Sequence, residues 1–593
     1  MKMVLKVCLG TLVLLLGVSQ TAITLAEEAK NEASQSLEKL LDDDWQWRMD
    51  NYPTWATYLG DRRGLDRWED MSRAAIDKRK EHPHDLLRRL EAISRDELPA
   101  EDQLNYDLFL YEVKLNIEGQ AFPTELLAVD QLNGPQLELG QVAEVMPLAT
   151  VADYEAYIAR LRGFQPYLGQ LTDLLKEGIE RRWVQPAEQL RGIGSQIQGQ
   201  LFAQAEDSPL FKPATKFPES FSEEDRARLT KELTAAIREA VFPALIEFRE
   251  FLEKTYLPNG AETIGAVGLP DGRKYYQYRI RRSTTIDLTA QEIHEIGLSE
   301  VKRIRAEMEK VIKDSGFEGD FKAFLDFIQN DPQFYYDDAE ELLKGYRDIA
   351  KRADAQLPPL FATLPRLPYG VRAFPDYEAP NQAGARYYRG AADGSRPGYF
   401  MANTYQLDSR PKYEMEALTL HEAVPGHHLQ IARAQELEGL PNFRRYGGNT
   451  AYIEGWALYA ESLGEEMGFY ADPYSKFGQL TYEMWRACRL VIDTGIHSLG
   501  WSREQAIRFF KENSGKSDLE IAVEVDRYIV WPGQALAYKI GELQIKALRK
   551  EAEQKLGEKF NIRRFHNALL DQGALPLPVL EREIQEWIKS QER

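Results

Sequence analysis

Three of the chain's eight histidines fall within eight positions, in the run Thr419-Leu420-His421-Glu422-Ala423-Val424-Pro425-Gly426-His427-His428-Leu429-Gln430. Imidazole is a preferred zinc donor, and zinc hydrolases place the base that activates water directly after a ligand histidine. In the common form of the motif, HExxH, two histidines four apart share one face of a helix. Here position 425 is a proline, which lacks an amide hydrogen and clashes with the preceding helical turn. On an unbroken helix His427 would lie ~120° round from His421, and His428 would return to within ~20° but roughly 10 Å further along. Neither spacing chelates. The sequence therefore predicts a kink or bulge at Val424-Pro425-Gly426 that brings one imidazole back to His421. His427 is favoured, because Gly426-His427 repeats the Gly-His step of the related motif HExGH. His428 is the alternative ligand, and otherwise would support the site from behind.

A hydrolytic zinc site needs a third protein ligand and an open position. The best donor is Glu454, inside the apolar helical stretch Thr450-Ala451-Tyr452-Ile453-Glu454-Gly455-Trp456-Ala457-Leu458-Tyr459-Ala460-Glu461-Ser462. An acid among such residues is costly to bury unless paired or bound to metal. Glu461, seven residues on, shares its stripe and is expected to orient a histidine or cap a core contact. Zinc is the expected ion, although manganese or cobalt would accept the same nitrogen and oxygen donors. A second His-Glu step, His294-Glu295-Ile296-Gly297, has leucine at 298 and no histidine nearby. It follows a capping box, Thr289 to Glu292, and reads as structural.

Arg489, Asp493 and His497 recur every four residues, so a helix would put the acid between two potential cations. Such a trio suits either an oxyanion-stabilising cluster behind the metal or an ion network bracing the core. Downstream, Arg527-Tyr528-Ile529-Val530-Trp531-Pro532-Gly533-Gln534-Ala535-Leu536-Ala537-Tyr538-Lys539 sets tyrosines and an arginine around a Trp-Pro-Gly helix break. Before the metal motif, residues 385–390 and 398–404 are short, aromatic and bounded by glycine and proline, as strands of a small sheet would be.

The segments HEAVPGHHLQ, TAYIEGWALYAE, LVIDTGIHSLGWSREQAI and RYIVWPGQALAYKIGELQI resemble the signature blocks of the bacterial domain-of-unknown-function family 885, over most of the chain. That family in turn resembles helical zinc metallopeptidases of the thimet oligopeptidase and carboxypeptidase Taq type. The resemblance implies a mainly α fold, a large helical metallopeptidase-like body with a deep cleft and a small β-sheet beside the metal. It implies Tyr538 as a donor to the tetrahedral oxyanion, with His497 nearby, and Arg527 as a clamp for a substrate carboxylate. It further implies that residues 398–403 form an edge strand along which substrate lies, with Tyr399 and Asn403 in contact; a plain structural hairpin fits the same residues.

The rest of the chain must position these groups. Residues 27–270 carry amphipathic helical patterns, notably 151–176 and 224–254, and no catalytic constellation; they are expected to form one wall of the cleft. Residues 208–220 read as a proline-rich loop, and 275–281 as extended. Residues 271–593 carry the metal site, the two halves making one catalytic unit. A formal charge of −20 with no basic stripe opposes nucleic-acid and anionic-membrane partners. Residues 1–26 read as a secretory signal, lysines followed by a twelve-residue apolar core and a small-residue cleavage site at Ala26, which predicts a periplasmic or secreted protein without stable membrane insertion. Only Cys488 then remains, so no intrachain disulfide forms. No G-x-S-x-G elbow is present, and Gly515-Lys516-Ser517 lacks the glycine a phosphate loop needs, position 510 being phenylalanine. The expected function is zinc-dependent hydrolysis of peptide bonds, by a carboxypeptidase or oligopeptidase. The alternatives are a metal-containing peptide-binding protein without turnover and a hydrolase of a non-peptide amide.

Overall fold

A computed structural model describes residues 31–592 apart from 376–378, 380, 381, 392, 393 and 395. The expected signal sequence and cleavage site lie outside these residues. The fold is mainly helical, with one three-stranded sheet. Residues 151–181 form two helices, Val151–Arg162 and Phe164–Arg181, the first opened by a capping box at Thr150 and separated from the second at Gly163. The stretch from 223 runs through Glu223–Ala236 and Phe242–Phe251, joined by a π-helical turn at Ile237–Val241. That wider turn precedes Pro243 and absorbs its missing amide. Residues 209–215 form only a short 3-10 segment within the expected loop.

Helix α1 (Gly272–Thr284) occupies the region expected to be extended. Its tyrosines favour strands in isolation, but Tyr275, Tyr276, Tyr278 and Ile280 are all buried, and that packing overrides the local preference. Helix α2 (Ala290–Asp314) starts at the Thr289/Glu292 capping box. The sheet follows: β1 (Tyr369–Ala373), β2 (Ala385–Tyr388) and β3 (Gly398–Ala402), in the order β1-β3-β2. β3 pairs parallel with β1 and antiparallel with β2, so it is the central strand.

Then come α3 (Met415–Glu422), α4 (His427–Glu436), α5 (Thr450–Ser462), α6 (Pro473–His497), α7 (Asp518–Val530) and α8 (Ala537–Leu556). Glycines set the two most extensive helix contacts, α2 on α6 and α5 on α8. A Cβ at Gly297 would stand 2.7 Å from Val491, and one at Gly541 only 1.8 Å from the Ala451 carbonyl oxygen. Buried charge fixes a third junction: the Lys539 ammonium of α8 bonds Glu483 of α6 and Glu542, each at 2.7 Å, and lies 3.1 Å from Glu300 of α2. The main apolar core runs continuously from Leu65 to Ile588, through both halves. The earlier half also docks on α7, where Gln131 and Gln189 donate to the main-chain and side-chain oxygens of Asp526 at 3.0 and 3.1 Å. Among the described residues no helix is long and apolar enough to cross a membrane.

Candidate metal centre

The helix break falls where proline demands it. α3 ends at Glu422 and α4 begins at His427, with a cis Val424-Pro425 bond between them. Gly426 passes so close over the end of α3 that a Cβ there would lie 1.9 Å from the His421 carbonyl oxygen. Trp456 of α5 holds the turn from the other side, its indole nitrogen donating to the Pro425 carbonyl at 2.9 Å. The reversal sets the rings of His421 and His427 4.7 Å apart and nearly perpendicular.

Glu454 of α5 completes the group. Its Oε2 lies 3.4 Å from His427 Nε2 and 3.7 Å from His421 Nε2, and the three potential ligand atoms lie within 4.8 Å of one another. Oε2 is buried and has no hydrogen-bond partner among the described residues. Donors around a tetrahedral zinc ion stand about 3.3 Å apart, given metal–ligand bonds of about 2.0–2.1 Å. These residues therefore fit such an ion. On the far side of His421, Nδ1 is 2.7 Å from Glu461 Oε1, which directs Nε2 toward Glu454. Arg486 Nη2 lies 3.3 Å from the same Glu461 oxygen. His427 Nδ1 is buried without a partner among the described residues, so this second imidazole has no such support.

Burial alone would lower the His421 pKa, but the carboxylates of Glu454 and Glu461 beside it reverse this and raise it to about 9. Burial would raise that of Glu454, yet the two imidazoles hold it well below the ordinary carboxylate range. Glu422 is 8% exposed, and its carboxylate has no hydrogen-bond or ion-pair partner among the described residues.

His428 turns the other way. Its Nδ1 is hydrogen-bonded to the Tyr387 hydroxyl of β2 at 2.9 Å, and its ring packs 4.5 Å from Tyr369 of β1. Burial lowers its pKa to about 4. It fastens the sheet beside the site and does not join the ligand group.

Three further expectations are settled by packing. The trio on α6 belongs to a network bracing the core and not to an oxyanion-stabilising cluster. Asp493 accepts from the Tyr276 hydroxyl at 2.5 Å and the Gly533 amide at 3.1 Å, while Arg489 pairs with Glu524 of α7 at 3.0 Å. His497 uses both ring nitrogens on main chain, accepting from the Ala266 amide and donating to the Tyr528 carbonyl, each at 2.9 Å. Burial lowers its pKa to about 4, so the ring is neutral and has no proton left for an oxyanion. Asn403 is equally committed. Its amide donates to the carbonyls of Ala379, Gln382 and Ala383 and accepts from the Tyr405 amide, tying a loop together. Tyr399 sits on the central strand with Arg372 stacked 4.0 Å from its ring, so β3 offers no free edge to a substrate.

Tyr538 and Arg527 do come together, the guanidinium donating to the hydroxyl at 3.0 Å. Tyr538 stands one turn before Gly541, which packs on Gly455 beside Glu454. Sequence reasoning missed Arg486, Glu524 and Tyr276. Arg486 had a signal: two arginines three apart in the apolar run of α6 must each find a buried partner.

Residues 53–584 match the family described as "Bacterial protein of unknown function (DUF885)". No curated protein matches the chain. Among solved structures, a provisionally designated lipoprotein from Colwellia psychrerythraea superposes with a TM-score of 0.89 at 29% identity, covering 94% of this chain and 99% of that one. A provisionally designated lipoprotein of unknown function from Shewanella oneidensis gives 0.73 at 19% identity, covering 94% and 100%, and shares the fold.

Proposed function

We propose that this chain, which belongs to the DUF885 family, is a zinc-dependent hydrolase of peptide bonds, a carboxypeptidase or oligopeptidase of the cell envelope or its surroundings. One observation carries the reading: a buried Glu454 oxygen, without a hydrogen bond among the described residues, faces the Nε2 atoms of two histidines at 3.4 and 3.7 Å. His421, His427 and Glu454 would hold the ion, with manganese or cobalt as substitutes for zinc. A bound zinc would acidify water and polarise the substrate carbonyl.

The chain's own residues supply the rest. Glu422 takes a proton from the attacking water and returns it to the leaving amine, the work of a carboxylate not committed to another partner. Glu461 holds His421 in the tautomer whose Nε2 is free to donate. Tyr538, steadied by Arg527, donates its hydroxyl proton to the developing oxyanion. The N-terminal half walls the cleft in which this happens. The envelope location draws on the signal-like start of the sequence and on the lipoprotein designation of the Colwellia relative.

Glu422→Gln tests the reading. The purified wild type should bind one zinc per chain and cleave members of a mixed peptide library; the variant should keep the zinc and lose at least about 100-fold in rate, in line with a general base. Zinc binding without cleavage by the wild type would favour a peptide-binding protein without turnover, and cleavage confined to non-peptide amides would move the substrate class. Undiminished cleavage by Glu422→Gln would remove that residue from its role.

A further inference from the structure

The segment that joins the second and third proposed ligands is held by the opposite end of the chain. α4 carries His427 and α5 carries Glu454, with residues 437–449 between the two helices. Within that stretch lies a short helical turn, Asn442–Arg445, followed by Tyr446. The Tyr446 ring stacks on Trp45 of the helix Glu32–Asn51, with centroids 5.4 Å apart and planes 25° apart. Trp55, from the next helix along, meets Trp45 edge-on at 5.4 Å. Phe443 meets Phe109 edge-on at 5.2 Å and packs on the apolar cluster that includes Leu37, Leu40 and Leu41 of the helix at 32–51. Aromatic pairs in stacked and edge-on geometries hold more firmly than their buried area alone accounts for.

Little slack separates Tyr446 from Glu454. Gly447 and Gly448 would suit a hinge, but neither takes a positive φ, and both mark close approach. A Cβ at 447 would stand 2.1 Å from the Phe443 carbonyl oxygen, and one at 448 would stand 2.6 Å from the Ile453 side chain. Asn449 then opens α5, its carbonyl accepting from the Tyr452 and Ile453 amides at 3.0 Å each and its side chain donating to the Ala574 carbonyl at 2.8 Å. Ile453 is the residue before Glu454, so Trp45 reaches that ligand through an unbroken series of packed contacts. On the His427 side, Arg445 Nε donates to the Gln435 carbonyl near the end of α4 at 3.2 Å.

We propose that Trp45, Trp55 and Tyr446 form a latch that sets Glu454 against the two histidines, so that tight metal binding waits on docking of the helix at 32–51. The three rings are positioning residues, none of them a metal ligand. Coupling of this kind is reciprocal, so an ion bound by His421, His427 and Glu454 must tighten the docked helix in the same measure. The inference rests on the metal centre of the proposed function and needs no turnover.

Zinc affinity of the full chain, measured against a competing chelator, tests it. Trp45→Ala should weaken zinc at least about 5-fold, the low end for coupled sites, and Trp45→Phe, which keeps a ring against Tyr446, should recover most of that loss. Trp47→Ala is the control. It removes a ring of the same size from the same helix, but one that lies on His82 and Tyr52, at 3.6 and 6.0 Å, and it should leave zinc affinity unchanged. In the reciprocal measurement, zinc should slow amide hydrogen exchange at 32–51 in the wild type more than in the reference helix Glu223–Ala236, and should not do so in Glu454→Gln. Equal zinc affinity in wild type and Trp45→Ala, or an equal loss in Trp47→Ala, overturns the latch and leaves the metal centre standing. A wild type that binds no zinc overturns the centre and the latch together. Should Trp45→Ala fail to fold, the wild-type exchange decides, and zinc that gives residues 32–51 no added protection overturns the latch.

Discussion

At the scale of single residues, the proposed centre depends on an acid that is not among its ligands. Glu461 fixes the tautomer of His421 and adds negative charge behind it, and partners of this kind typically contribute 10–100-fold in metal affinity. Glu461→Gln keeps an acceptor for the Nδ1 proton but removes the charge, and leaves Arg486 without its counter-ion. Zinc affinity measured against a competing chelator should fall by about 10–100-fold, with one ion per chain retained; an unchanged constant would reduce Glu461 to packing. The grouping of His421, His427 and Glu454 was legible in the sequence, the histidines from their crowding around Pro425 and the acid from its place in an apolar run, and Glu461 from the stripe it shares with Glu454. An expected strand edge misled at Asn403, and a four-residue repeat at His497. A buried polar side chain looks alike in sequence whether it faces a ligand or main-chain carbonyls, and these two face the main chain.

At the scale of elements, proline and glycine wrote the clearest instructions. The break at Pro425 and the cap at Thr289 stand where the sequence places them, because each rests on local backbone chemistry. The helix at 272–284 and the central position of β3 were not legible, since both depend on distant partners: the core that buries the α1 tyrosines, and β1, a five-residue strand without an alternating pattern. The Trp-Pro-Gly break offers a test at this scale. Asp493 accepts from Tyr276 and from the Gly533 amide in that break, yet burial outweighs both bonds and raises its pKa from 3.8 to about 7. Between those values the folded chain holds a proton that the unfolded chain has released, so this contribution to stability is full at low pH and declines as pH rises through the folded value. Asp493→Asn should flatten the fall in stability between about pH 4 and pH 7 relative to the wild type, followed by urea unfolding at each pH. An identical slope in both proteins would show that Asp493 does not titrate in this window.

At the scale of the whole molecule, the proposed ion would join three separate helices, α3, α4 and α5, that converge only in the folded chain. Zinc should therefore stabilise the fold by mass action, by about 2.7 kcal/mol at a free concentration 100 times its dissociation constant. Thermal unfolding with and without a chelator measures this, and no shift at saturating zinc would count against the centre. Mainly helical architecture was legible from amphipathic patterns, while the way the halves lean on each other was not, because contacts such as Gln131 to Asp526 are hundreds of residues apart. That contact has its own consequence. Asp526 is the immediate neighbour of Arg527 and takes two of its hydrogen bonds from the first half of the protein. A truncated version beginning near residue 270 would keep every proposed ligand and still lose two of the hydrogen bonds that fix Asp526 beside Arg527.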